Sequence, residues 1–140
     1  MRKRFVVIDY DPEIIDQLDG LKVNYLYGDA TDIELLEEAG LDKTKLLVST
    51  LSDHAANIFL IDLLQKFNPR CVVILHAETI KEAMELYERG AMYVILPHHL
   101  GSEHIGAFIR RNGLKKHGFQ EYRQKHLDYL QQHYSLGKDA

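Results

Sequence analysis

Chemistry in this chain has five places to sit, each a short polar stretch that follows an apolar run: Asp9 and Asp11, Gly28 to Thr31, Ser49 to Asp53, His76 to Glu78, and Pro97 to His99. In an open sheet of parallel strands, ligands bind beyond the carboxyl ends of the strands, so these stretches converge on one edge. Asp9 closes the run FVVI and precedes a tight turn into a helix. A carboxylate there offers two acceptor oxygens in one plane and can take both hydroxyls of a ribose. Asp11 has two readings, a helix N-cap and a ligand contact, because Asp-Pro-Glu is also a common helix start.

Other constellations carry less. Eight histidines include His98, His99 and His104 beside Glu103. His99 and Glu103 stand four apart, but Gly101 interrupts the helical spacing and no third metal ligand is fixed. No nucleophile elbow is present and no lysine or cysteine is placed with a base, so the expectation is a binding protein and not an enzyme. Cys71, the single cysteine, lies inside CVVIL and reads as a buried thiol of a reducing compartment, which points to the cytoplasm.

The elements that must position these residues alternate along the chain. Residues 5–8, 22–27, 45–50, 70–76 and 92–96 are short apolar runs rich in β-branched and aromatic residues, the pattern of buried strands. Between them lie helical segments. The first begins at Asp11-Pro12 and is broken by Gly20; the second, TDIELLEEAG, has Thr31 and Glu34 at capping-box spacing and is closed by Gly40. A third, HAANIFLIDLLQKF, is capped by Ser52 or Asp53 and stopped at Asn68-Pro69, and a fourth is TIKEAMELYERG. Strands without polar alternation, joined by helical crossovers, imply an α/β, Rossmann-like, doubly wound parallel sheet of five strands.

After Pro97 a short helix is expected from about Ser102, and residues 113–140 form a separate amphipathic extension to a domain spanning 1–112. In that extension Phe119, Tyr122, His126 or Leu127, Leu130 and Tyr134 share a helical stripe. The stripe packs back on the domain, meets a second copy or another partner, or belongs to a frayed tail.

Composition narrows the function. At 140 residues with a net charge of −4, the chain is one domain without the basic surface a nucleic acid requires. No apolar run approaches the roughly 18 residues that a bilayer span needs, so direct membrane insertion is not expected.

Together, VVIDYDPEIIDQL, YGDATDIELLEEAGLDKTKLLVST, the long apolar helix ending in NP, VVILHAE and LYERGAMYVILP resemble the TrkA-N domain, also known as the regulator-of-potassium-conductance N-lobe. The resemblance covers residues 4 to about 105, and LPHHLGSEHI is similar to the versions attached to Kef-type cation/proton antiporters. It implies a regulatory module at the cytoplasmic face of a potassium channel or monovalent cation antiporter, which pairs into a homodimer. Its ligand would be an adenine nucleotide, with AMP or NAD(H) foremost. The resemblance carries the ribose acid onto Asp9, with Asp11 beside it. It carries the adenine border onto Asp29, Ala30 and Thr31, and the phosphate edge onto Thr50 and Asp53.

One departure bears on all of this. Such domains begin with a further strand and a G-x-G-x-x-G turn roughly 20 residues before the acid, and here eight residues precede Asp9. The usual first βα unit is therefore expected to be lacking, and with it the phosphate cradle. AMP and adenosine should lose least. A slot should lie between the strands at 5–8 and 45–50, filled by strand exchange or edge pairing with a second chain, or closed directly. The sequence is read either as a piece of a longer polypeptide or as a degenerate module that kept the fold for oligomerisation and lost the nucleotide. A dehydrogenase is disfavoured, for lack of both the glycine loop and a substrate domain.

Overall fold

Capping residues and glycines divide the chain into twelve elements, seen in a computed structural model that describes residues 4–138. They are β1 (Val7–Asp9), α1 (Pro12–Gly20), β2 (Tyr25–Tyr27), α2 (Ile33–Glu38), a 3₁₀ turn (Leu41–Lys43), β3 (Leu46–Val48), α3 (His54–Phe67), β4 (Val72–His76), α4 (Ile80–Glu88), β5 (Tyr93–Ile95), α5 (Pro97–Asn112) and α6 (Lys116–Lys138). Each of the first three helices starts on an aspartate whose side chain accepts a first-turn N–H: Asp11 from Glu13, Asp32 from Glu34 and Asp53 from Ala56. The cap of α2 is thus Asp32 and not Thr31, because Asp29 has already engaged Thr31 in the turn before it. The capping box expected of α4 is present between Thr79 and Glu82. Helix α5 begins at Pro97, five residues before the expected start at Ser102, since a proline at the first helical position sacrifices no hydrogen bond.

All five strands pair in parallel, as expected of an α/β Rossmann-like fold, but they stand in two sheets: β1 with β2, and β3–β4–β5. Direct closure of the slot, one of the outcomes anticipated, does not occur within the chain. Leu36 and Leu41, core residues carried by α2 and the 3₁₀ turn, line the gap between the halves. The core itself lies mainly on the β3–β5 side. Ile61 and Leu64 of α3, Val73 and Leu75 of β4, and Leu86 of α4 are fully or almost fully buried, while β1, α1 and β2 contribute no buried residue. Cys71 is buried and free, and burial pushes its thiol pKa up.

Helix α6 crosses back onto α5. Phe108 meets Phe119 edge-on at 5.1 Å between ring centroids and Tyr122 at 4.8 Å, and His104 bonds the Tyr122 hydroxyl. Farther along the stripe Leu130 is exposed, and the side chain of Tyr134 lies outside the described residues. Among the described residues, no helix is long and apolar enough to cross a membrane.

Candidate functional site

Between the two sheets opens a cleft of about 610 Å³, walled by β1 and β3 and rimmed by the residues that follow β1, β2 and β3. Six of the seven residues singled out from sequence line it: Asp9, Asp29, Ala30, Thr31, Thr50 and Asp53. Asp11 does not; its carboxylate caps α1 through the Glu13 N–H at 2.9 Å.

Asp9 is held by the turn it begins. Its Oδ1 accepts the Asp11 N–H at 2.9 Å and its carbonyl accepts the Gly28 N–H at 2.9 Å, which ties the end of β1 to the end of β2. That bond restrains the carboxylate, and Asp9 lines the cleft. Across the rim Asp29 Oδ1 accepts both the Thr31 N–H, at 2.8 Å, and the Thr31 hydroxyl, at 2.7 Å. These two bonds hold the Asp29 carboxyl below its ordinary pKa, the backbone donor more than the hydroxyl. Gly28 supports the same turn with φ +156°, and a Cβ there would lie 2.8 Å from Leu35 Cδ2.

The opposite wall is set by a residue that sequence reasoning passed over. Asn57 is completely buried one turn into α3. Its Oδ1 accepts the Ser49 hydroxyl at 2.6 Å, and its Nδ2 donates to the carbonyls of Leu51 at 2.9 Å and His76 at 3.0 Å. One side chain thereby joins the ends of β3 and β4 to the helix between them. The signal was available, as an amide inside the otherwise apolar stretch AANIFLIDLL. Asp53 sits beside it, with Oδ1 spent on the Ala56 N–H at 3.2 Å.

The electrostatics of the rim follow from its composition. Among the described residues, Asp9, Asp29 and Asp53 are the charged side chains that line it, with no lysine or arginine. An oxyanion would meet no cationic side chain there, whereas hydroxyls and amines would find acceptors. Farther out, His76 lies 3.7 Å from Glu78, and His98 approaches the other oxygen of Glu78 at 4.0 Å. His104 is engaged with Tyr122. Among the described residues no three His, Cys, Asp or Glu side chains come together as a metal site would require.

Comparison with known proteins places this geometry. The sequence pattern of the TrkA-N domain matches residues 1–97. The glutathione-regulated potassium-efflux system protein KefC of Cronobacter sakazakii is 34% identical over 87 residues, which is 62% of this chain and 14% of that protein. The chain therefore spans about a seventh of the length of such relatives. The TrkA-N domain of the inner membrane protein ybaL from Escherichia coli superimposes with a TM-score of 0.65 at 26% identity, covering 71% of this chain and 74% of that one. A Kef CTD from Shewanella denitrificans, in AMP-bound form, shares the fold with a TM-score of 0.62 at 17% identity, over 97% of this chain and 96% of that one.

Proposed function

The chain belongs to the TrkA-N domain family, and from that membership and the geometry of the cleft we propose that it is a regulatory nucleotide-binding module of a potassium or monovalent cation transport system. It acts by binding and not by catalysis, as a homodimer at the inner face of the membrane, and its ligand shifts the dimer between two arrangements that gate a channel or antiporter. The observation that carries the reading is Asp9. It stands at the carboxyl end of β1, lines the cleft and has one oxygen held by a backbone N–H, a placement suited to a ribose. Asp29, Ala30 and Thr31 would border the adenine, and Thr50 and Asp53 would stand nearest the phosphates. Relatives named as potassium-efflux proteins and a neighbour of the same fold in AMP-bound form support both the setting and the ligand class.

AMP is preferred over NAD(H) and the polyphosphates, because the cleft offers acceptors for a ribose and no cation for additional phosphate charge. Titration calorimetry with AMP and NAD tests this. Asp9→Ala should weaken AMP at least about tenfold, since hydrogen bonds to a charged group contribute about 1.5–3 kcal/mol. Unchanged affinity in that variant refutes the ribose assignment. The all-acidic rim favours one second reading, a module retained for oligomerisation alone; a stable dimer whose melting temperature no adenine nucleotide raises would establish it.

A further inference from the structure

The net charge of −4 conceals an uneven distribution. Between residues 110 and 126 stand six cations, Arg110, Arg111, Lys115, Lys116, Arg123 and Lys125, against one acid, Glu121. Glu121 is taken by His117 at 3.2 Å, and among the described residues none of the six cations enters an ion pair. All of them belong to α5, α6 or the turn between. The contacts of His104 with Tyr122 and of Phe108 with Phe119 run in opposite senses along the two helices, so α5 and α6 form an antiparallel hairpin with residues 113–115 at its apex. The turn is built rigidly. Gly113 has φ +65°, and the Asn112 side-chain amide donates to the Lys115 carbonyl at 2.9 Å. Gly118 leaves room for that amide, since a Cβ there would strike it. Leu114 is thereby held out into solvent, 92% exposed, with Arg110, Arg111, Lys115 and Lys116 exposed on either side of it.

We propose that the apex of the α5–α6 hairpin docks on an anionic lipid bilayer, with the four flanking cations against the headgroups and Leu114 entering the boundary between headgroups and acyl chains. The combination of charge and apolar tip selects the occupant. Each lysine or arginine beside an anionic bilayer raises partitioning about fivefold, so four together supply an advantage on the order of several hundredfold. Cations alone would suit any polyanion. A leucine at their centre gains nothing from the phosphate backbone of a nucleic acid, whereas its transfer into lipid is worth about tenfold or more. The contact is peripheral, made by one apolar side chain, and requires no spanning segment. It also lies apart from the cleft. Helix α5 starts at Pro97, after β5 and on the same sheet edge as the rim, and its 16 residues carry the apex about 24 Å from there at about 1.5 Å of rise per residue. The inference therefore does not depend on nucleotide binding.

Vesicle flotation of the 140-residue chain tests this, with phosphatidylcholine containing about 30% phosphatidylserine against phosphatidylcholine alone. The chain should float with the anionic vesicles only, and raising salt from about 0.1 M to about 0.5 M should release it. Arg110→Gln, Arg111→Gln, Lys115→Gln and Lys116→Gln combined should lower partitioning at least about tenfold, and Leu114→Ser alone about tenfold. Both variants should keep the parent melting temperature, because all five side chains are exposed. The chain contains no tryptophan, so Leu114→Trp supplies a single reporter whose emission should shift to the blue on anionic vesicles. Failure to float with anionic vesicles, or flotation that survives the fourfold charge variant, overturns the proposal. So does an unshifted Leu114→Trp emission in the floated sample, which would leave the apex outside the lipid. Emission already blue without lipid, at a dimer mass by light scattering, makes a second copy the occupant instead. Duplex DNA bound more tightly than the vesicles, with no loss in Leu114→Ser, gives the surface to a nucleic acid and equally refutes the lipid assignment.

Discussion

Asn57 shows how much a single buried polar side chain can decide. It satisfies the Ser49 hydroxyl and two carbonyls at once, so Asn57→Ala leaves the buried Ser49 hydroxyl and two half-buried carbonyls without that partner. The expected loss is about 2–4 kcal/mol by urea denaturation, from unmet desolvation penalties and not from volume. A second residue-scale prediction concerns Glu85. Its carboxyl is held below the ordinary range first by the His54 hydrogen bond and then by the charges of His54 and Arg89. A folded pKa below the unfolded one stabilises the protein above the unfolded value, and that contribution is lost as pH falls through the folded one. Glu85→Gln should therefore flatten the decline of melting temperature on acidification; an unchanged acid slope removes Glu85 from the account. Asp9 was legible in the sequence because strand-end acids follow from the hydrophobic pattern. Asn57 carries no such local signal of its role, because its partners lie at the ends of β3 and β4, one of them 19 residues away.

At the scale of elements, local capping chemistry governs. Thr79 and Glu82 satisfy one another's orphan donors at the start of α4, so Thr79→Ala should cost about 1 kcal/mol, checked by chemical denaturation. Gly28→Ala should destabilise the turn between β2 and α2, since φ of +156° disfavours a side chain and its Cβ would displace Leu35. Nucleotide affinity should fall along with stability, because Asp29 and Thr31 belong to the same turn. The spacing that reads as a Thr31–Glu34 box was legible but misplaced by one residue: Asp29, two positions before Thr31, competes for its N–H and hands the cap to Asp32. The strands are shorter than their apolar runs, three residues at most sites, because a ladder extends only as far as both partners remain in register.

For the whole molecule the uneven core is decisive. Every core residue except Leu36 and Leu41 comes from the β3–β5 side, and α6 is held to α5 by Phe108 against Phe119 and Tyr122 and by His104 on the Tyr122 hydroxyl. Amides of β1, α1 and β2 should consequently exchange at lower opening free energy than those of β4 and α3, the order expected when buried apolar contact is unequal. Equal protection across the halves would mean that the slot is filled or closed in solution.

The sequence by itself determined the family, the parallel α/β alternation, the starts of α1 and α4, and the acid at the end of β1. Each depends on hydrophobic period, on capping within a few residues, or on motif order, all of which are local. Only the tertiary structure decided that the five strands divide into two sheets and that Asn57 binds β3 to β4. Those facts depend on register and on contacts between distant segments, and a linear pattern of residue types does not carry them.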